Sequence, residues 1–155
     1  MQNMNYVFDA NIFINLQRRQ PIDLYKPLWE IVSNLMHDGV VISSAEVLDE
    51  INRGNDELKT WVKQRKDCFI ESDAEIQLCV REILRQDRGL IDGGKKNNCA
   101  DPFVIALAKL RKAKVITEES PSGNENAPKI PDVCRKHGIE YLNFVDFMRE
   151  ANIAL

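Results

Sequence analysis

The sequence predicts an α/β fold, a parallel sheet flanked by helices, in one domain that spans residues 1–155. Short apolar runs of strand length alternate with amphipathic stretches of helical length, which is typical of a parallel sheet. A chain of 155 residues with 44% hydrophobic residues can bury one core and is too short for two ordinary domains. The predicted strands lie at residues 5–8, 40–43, 114–117 and 140–143, with a further short strand at 68–70.

The first predicted strand leads directly into an acid. Tyr6-Val7-Phe8 is followed by Asp9, and a helix begins with Ala10-Asn11-Ile12-Phe13. Asp9 therefore lies at the carboxyl end of a buried strand, where open α/β sheets bind ligands. Taken alone, Asp9 is equally well explained as the cap of the helix that follows.

A helix is predicted between the first two strands, and Gly39 is placed to end it. Its apolar residues recur at helical spacing and predict a core-facing stripe, with Trp29 packed beside it. The stripe consists of Leu24, Leu28, Val32, Leu35 and Met36.

The next helix carries several acids, and their spacing separates them. Ser43 and Glu46 have the spacing of a capping box, which makes Glu46 a structural residue at the helix start. Glu50 borders the buried face and can reach a site at the sheet edge. That buried face consists of Val47, Leu48 and Ile51.

Residues 73–88 predict a helix with a row of basic residues, Arg81, Arg85 and Arg88. A solvated face is favoured for this row over a phosphate-contacting one. The following stretch, residues 89–96, fits the spacing G-x-x-x-x-G-K but has Lys96 where a nucleotide loop needs Ser or Thr. It also follows a helix and not a strand, so a nucleotide loop is rejected.

Residues 98–112 predict a largely buried helix with Pro102 in its first turn. Asp101 lies in the same turn, where the helix dipole alone would favour a carboxylate. Further on, residues 120–131 are rich in turn-forming residues and directly follow Glu118 and Glu119. This segment is a candidate mobile lid.

Composition excludes several classes of protein. The net charge of -3 gives no overall basic field, so a polyanion would have to be held by local patches or by metal. The four cysteines form no C-x-x-C pair, and the two histidines lie at predicted helix ends without ligand partners, which argues against a zinc knuckle or a disulfide scaffold. No signal peptide or membrane span is predicted, and a soluble cytoplasmic protein is expected.

The acids at the ends of predicted elements are expected to form one site. Carboxylates brought together repel, and the repulsion raises their pKa values unless a cation offsets it. Mg²⁺ and Mn²⁺ prefer such oxygen ligands. Metal-assisted phosphodiester hydrolysis suits this set, because a bound metal acts as a Lewis acid and generates hydroxide from water. The acids are Asp9, Glu50, Asp101, Glu118 and Glu119.

Four segments follow one another in the order of the acidic motifs of a known enzyme family. They are residues 7–13, 47–51, 99–108 and 115–119, and they span most of the chain. They resemble the motifs of PIN-domain nucleases, which include the VapC-like toxin ribonucleases. Residues 117–119 and 129–134 are also similar to a PIN-like subgroup known mainly as a domain of unknown function.

The resemblance implies a three-layer α/β/α fold with a mostly parallel sheet and an endoribonuclease dependent on Mg²⁺ or Mn²⁺. It assigns metal binding to Asp9, Glu50, Asp101 and Glu119. The fourth position is Glu where the family usually has Asp, and Glu118 beside it is a second candidate ligand. Many relatives are toxins held inactive by an antitoxin and are often dimeric, so RNA, an antitoxin protein and a second copy are the expected partners.

Four further residues are candidates for positioning the substrate. Asn11 or Thr117 is expected to orient the scissile phosphate or a ligating carboxylate, and Lys95 or Lys96 to contact backbone phosphate.

Two alternatives to a ribonuclease remain. One is a metal-binding signalling or binding module, such as a receiver-like domain. Such a module requires an acidic pair next to Asp9 and a Lys at the end of a later strand, and the sequence offers neither clearly. The other is a PIN-like DNA nuclease, which sequence does not separate from a ribonuclease.

Overall fold

The computed structural model describes residues 4–91 and 100–155, and a five-stranded, all-parallel sheet lies at its centre. The strand order is β3-β2-β1-β4-β5. The predicted α/β class and all five predicted strands are confirmed. The strands are β1 (Tyr6–Phe8), β2 (Val41–Ser44), β3 (Phe69–Ile70), β4 (Lys114–Ile116) and β5 (Tyr141–Leu142).

Helices cover both faces of this sheet and complete the three-layer α/β/α arrangement. Within the described ranges they are α1 (Ala10–Arg19), α2 (Lys26–His37), α3 (Ala45–Ile51), α4 (Asp56–Lys63), α5 (Ala74–Gln86), α6 (Asp101–Arg111), α7 (Ile130–Lys136) and α8 (Phe144–Glu150). Short 3-10 turns lie at Lys66–Cys68 and Arg88–Leu90. In the described part of the chain, every helix is too short or too polar to cross a membrane.

The strand order creates a crevice beside β1. The chain runs outward from β1 through β2 to β3 and then crosses back to place β4 on the opposite side of β1. The two helices that leave neighbouring strands therefore diverge at this point, which is where ligands bind in open α/β sheets. Asp9 N–H still donates to Ile116 O at 3.0 Å, so the carboxyl ends of β1 and β4 are joined up to the edge of this crevice.

The core-facing stripe of α2 is confirmed, with one correction. Leu28, Val32 and Met36 are buried, and Trp29 is only 1% exposed. Leu24, however, precedes the helix and is 74% exposed, because α2 does not begin until Lys26. Leu24 is included in the predicted stripe because it lies at helical spacing from Leu28, although the helix begins only after it.

The predicted capping box at the start of α3 is wrong by one residue. Ser44 is the N-cap, and its Oγ accepts from Val47 N at 3.3 Å. Ser43 is still in β2, where its Oγ donates to Phe8 O at 2.6 Å. Glu46 nevertheless lies in the first turn of α3 as expected.

The turn-rich segment after β4, the candidate mobile lid, is tied to α7 by hydrogen bonds in this structure. Ile130 and Pro131 already belong to the first turn of α7. The Asp132 carboxylate accepts from Ser122 N at 2.9 Å and from Lys129 N at 2.8 Å, which closes the loop on the helix that follows. Gly89 packs so closely against it that a Cβ would lie 2.2 Å from Asn126 O.

Replacing Gly89 with alanine is expected to destabilise the protein by about 1–3 kcal/mol, since the added methyl group displaces loop backbone. Gly54→Ala is the matched control, because a Cβ there meets only Ile51 O at an ordinary 3.7 Å. Its effect should stay under about 1 kcal/mol. Urea unfolding measures both. Equal stability of the two variants would show that the contact at Gly89 is easily relieved.

Candidate active site

Asp9 lies at the centre of the carboxyl edge of the sheet and is only 3% exposed. It is the N-cap of α1, and its Oδ1 accepts from Ala10 N at 2.7 Å. Its Oδ2 accepts from the Thr117 hydroxyl at 2.9 Å. Asp9 thus caps a helix, as one interpretation expected, and also directs its second oxygen toward the end of β4.

A small polar network holds the two sides of the crevice together. The Thr117 hydroxyl accepts from Asn11 Nδ2 at 3.4 Å and from Glu119 N at 3.1 Å. Asn11 Oδ1 accepts from Glu118 N at 3.1 Å. Two of the four predicted positioning residues, Asn11 and Thr117, therefore orient protein groups here, and Thr117, which is 1% exposed, directly orients the Asp9 carboxylate.

Glu50 reaches the site from the last turn of α3. It is half-buried, and its Oε1 accepts from Ala100 N at 3.3 Å. This hydrogen bond places Glu50 beside the start of α6, whose first residue is Asp101. Asp101 is itself buried, with 6% of its surface exposed. The acids of the second and third predicted motifs are thus brought to neighbouring positions.

Glu118 and Glu119 point in different directions. Glu118 is exposed, and its Oε1 accepts from Phe144 N at 3.0 Å at the start of α8. Glu119 is half-buried, and its Oε2 accepts from Ile130 N at 3.2 Å at the start of α7. Of these two acids, it is Glu119 whose charge raises the pKa values of both Asp9 and Glu50. The adjacent acids therefore diverge, and Glu119 is the one that faces the crevice.

Burial and like charge combine on Asp9. Removal of the carboxylate from water, with the nearby charges of Glu119 and Glu50, raises the Asp9 pKa from 3.8 to about 7, against the hydrogen bonds from Thr117 and Ala10 that lower it. Burial also raises the pKa of Glu50, and Glu119 adds to that rise. The charge of Glu119 thus acts on both Asp9 and Glu50, an arrangement that a cation would stabilise.

Cys134 of α7 is a neighbour that the sequence did not point to. It is fully buried, and its burial together with the charges of Asp9 and Glu119 raises the pKa of its thiol to about 12. A thiol in this state is not the thiolate that a soft metal requires. No signal in the sequence indicated this proximity, which follows from the contact between Glu119 and the start of α7.

The donor chemistry of the site fits a hard divalent cation such as Mg²⁺ or Mn²⁺, which takes oxygen ligands. As placed, however, no three Asp, Glu, His or Cys side chains among residues 4–91 and 100–155 form a ready coordination group. Glu50 and Glu119 instead each accept a backbone N–H. Metal binding by the predicted acids would therefore require their carboxylates to move closer together than they lie in this structure.

Other predicted contacts lie elsewhere or outside the described residues. Lys95, Lys96 and Cys99 lie outside the described residues, as do residues 92–96 of the glycine-rich stretch. The arginines of α5 and the following turn are exposed, and Arg85 pairs with Glu82 at 2.6 Å, as expected of a solvated face. The described cysteines, Cys68, Cys79 and Cys134, are free.

The strand order argues against a receiver-like signalling module. Receiver-like and other flavodoxin-like domains have the order 2-1-3-4-5. The order here is 3-2-1-4-5. In this sheet β1 lies between β2 and β4, whereas in the flavodoxin-like order the first strand lies between the second and the third.

Comparison with known proteins agrees with this architecture. A family model described as "Domain of unknown function (DUF4411)" matches residues 6–155. The crystal structure of FitAcB from Neisseria gonorrhoeae superposes with a TM-score of 0.54 at 17% identity and covers 89% of this chain and 96% of that chain. VapBC2 from Rickettsia felis, bound to a DNA fragment from their promoter, superposes with a TM-score of 0.56 at 19% identity and covers 91% of this chain and 99% of that chain. No curated protein sequence matches significantly. The chain therefore shares a three-layer, PIN-like fold with these structures.

Proposed function

The chain belongs to the DUF4411 family of domains of unknown function, and we propose that it is a divalent-metal-dependent endoribonuclease that hydrolyses RNA phosphodiester bonds. The observation that carries the proposal is the buried Asp9 at the crevice between β1 and β4, whose pKa is raised toward 7 by burial and by Glu119 and Glu50. A carboxylate that costs this much to ionise is typical of a functional site. A cation that offsets the charge explains why the acids are kept together.

The residues of the site fall into two groups in the proposed reaction, the acids that would hold the metal and the polar residues that orient them. Asp9, Glu50, Asp101 and Glu119 would hold Mg²⁺ or Mn²⁺, which when bound supplies Lewis acidity and an activated water. Thr117 donates to Asp9 Oδ2 and keeps that carboxylate in one orientation. Asn11 accepts from Glu118 N and donates to Thr117, and so fixes the backbone that leads into Glu119. The low exposure of Asp9 and Thr117 excludes bulk water from this side of the site.

We further propose that the protein is the toxin of a toxin-antitoxin pair in the cytoplasm, with an antitoxin and a second copy as partners. The PIN-like fold shared with FitAcB and VapBC2 supports this role, and VapBC2 was solved bound to a DNA fragment from its promoter. Expression of the chain alone should arrest growth, and co-expression of a neighbouring small DNA-binding protein should restore it. Growth that is unaffected by the chain alone would argue against the toxin role while leaving the nuclease proposal standing.

The activity is tested by incubating the purified chain with single-stranded RNA and with DNA of the same sequence, in Mn²⁺ and in chelator. Internal cleavage of RNA in Mn²⁺ and none in chelator is the expected result, with Asp9→Asn as the inactive control. Cleavage of DNA in preference to RNA would favour the PIN-like DNA nuclease. Intact RNA and DNA in every condition would contradict both.

The divergence of Glu118 and Glu119 gives a prediction about the fourth acid. Glu119→Gln should lower the cleavage rate by at least about tenfold, because it removes a charge that acts on Asp9 and Glu50. Glu118→Gln, the matched control one residue away, should change the rate by less than about twofold, because its carboxylate bonds to Phe144 N instead. Initial rates at saturating Mn²⁺ make the comparison. A larger loss for Glu118→Gln would mean that a turn at this strand end presents the other acid.

A further inference from the structure

A cavity opens directly beside Glu50, which is one of its lining residues. Its volume is about 370 Å³, near the lower end of small-ligand sites, which span roughly 300–1,000 Å³. It is bounded by α1, by the end of α3, and by the turn that leads into α4. The cavity therefore shares one wall with the proposed cleavage site and has room for about one nucleotide.

The walls of this cavity carry two cationic groups. Arg18 projects from the last turn of α1, and Arg53 follows α3, three residues after Glu50. Both are exposed, and within residues 4–91 and 100–155 neither has a carboxylate oxygen within 4.0 Å. Arg53 is nevertheless close enough to Glu50 to lower the pKa of that carboxyl. Among the described residues, these two charges thus line the cavity without a carboxylate partner in an ion pair.

The rest of the lining is partly apolar and partly fixed by hydrogen bonds. Ile14, Ile51 and Leu58 give an apolar floor. Gln17 is held by hydrogen bonds to Glu57 and to Ile22 N, both at 3.0 Å. Asn55, also in the lining, caps α4 with its Oδ1, and its amide Nδ2 is a hydrogen-bond donor. The apolar floor suits the face of a nucleotide base, the two arginines suit the phosphates on either side of it, and the amide suits a polar group on the edge of the base.

We propose that this cavity binds one nucleotide of single-stranded RNA next to the scissile phosphate, with Arg18 and Arg53 on its two flanking phosphates. The proposal rests on the proposed nuclease function, because Glu50 belongs to both sites. Guanidinium groups form charge-assisted, paired hydrogen bonds to phosphate, and such contacts fix the register of a strand. The chain has a net charge of -3, so local cations of this kind are what a polyanion would need.

The test measures binding by the full chain in chelator, where no cleavage is expected, with a fluorescein-labelled single-stranded RNA over a salt series. Arg18→Gln and Arg53→Gln should each weaken binding by at least about fivefold. Each should also reduce the slope of log affinity against log salt by about one. Arg19→Gln is the matched control, because Arg19 lies next to Arg18 on α1 but lines a different groove. It should change the affinity by less than about twofold.

A second variant tests the cavity itself without removing any charge. Gly54 lies in the cavity wall, and a Cβ there meets only Ile51 O at 3.7 Å, so Gly54→Leu can be accommodated by the backbone. It should weaken RNA binding by at least about fivefold while leaving the salt slope unchanged, because it occupies space and not a phosphate contact. A thermal melt confirms that each variant is folded.

The outcomes separate this proposal from the proposed nuclease function. Arginine variants that bind RNA as Arg19→Gln does would overturn it, even if wild type cleaves RNA. A Gly54→Leu variant with wild-type affinity would overturn it too, since the arginines would then attract RNA without a bound nucleotide. If the three variants behave as expected but wild type never cleaves RNA in Mn²⁺, the cavity is supported and the nuclease function fails. Absence of RNA binding by wild type would overturn the cavity proposal, while the cleavage assay in Mn²⁺ decides the nuclease function separately.

Discussion

Asp9→Asn is expected to abolish RNA cleavage, with a loss of roughly 1,000-fold or more in rate. The substitution removes a buried negative charge from the position where metal placement determines catalysis, and metal-ion stabilisation of the transition state is worth several kcal/mol, or about three powers of ten. Asparagine keeps the size of the side chain and can still cap α1 through its oxygen. Initial cleavage rates in Mn²⁺ measure the effect. Glu50→Gln and Asp101→Asn should show losses in the same direction.

Asp73→Asn is the matched control for this prediction. Asp73 is also a helix N-cap, with its Oδ1 accepting from Ile76 N at 2.8 Å, but it is exposed at the start of α5. An Asp-to-Asn change at a helix cap outside the crevice should leave the cleavage rate within about twofold of wild type. If Asp9→Asn, Glu50→Gln and Asp101→Asn all retain near-normal cleavage, these acids do not form the active site.

The second large effect is expected in stability. In chelator, wild type should lose stability relative to Asp9→Asn as the pH rises from 4 to 8. The Asp9 pKa is about 7 in the folded protein against 3.8 as its ordinary value, so the folded state binds more protons in this range. Folding then becomes less favourable with rising pH, and the full penalty, up to about 4 kcal/mol, is present above pH 7. Asparagine has no charge to bury, so the variant escapes this loss.

Urea unfolding of both proteins at several pH values in chelator measures this difference. Asp9→Asn also loses a good acceptor for the Thr117 hydroxyl, so its net advantage at pH 8 should be smaller, a few kcal/mol or less. If the free energy of unfolding changes with pH in the same way for wild type and Asp9→Asn, the surroundings do not raise the pKa of the Asp9 carboxyl.

Adding Mn²⁺ at pH 8 should reverse the order of the two proteins. Binding to the folded state stabilises by RT ln(1 + [L]/Kd), which is about 2.7 kcal/mol at one hundred times Kd. Only wild type keeps the complete set of acids, so it should gain more than Asp9→Asn. An equal gain for the two proteins would mean that Asp9 is a helix cap and not a metal ligand.

The sequence by itself determined the elements and placed the acids at their ends. Short apolar runs located the strands, and helical spacing, together with Gly39 and Pro102 at helix ends, located the main helices, because these signals act over a few neighbouring residues. The apolar run before Asp9 likewise fixed this acid at a strand end. Where local signals compete, prediction failed by a residue or two, as for Ser43 against Ser44 and for Leu24 before α2.

Only the tertiary structure decided how the acids relate to one another. It placed β4 beside β1, turned Glu119 toward the crevice and Glu118 toward α8, and brought Cys134 and the Ala100 backbone next to the acids. It also enclosed the cavity beside Glu50. These features depend on contacts between residues far apart in the chain and on the exclusion of water from between them. Because a pKa or a cavity arises from the packing of several elements at once, neither is encoded in any single segment of the sequence.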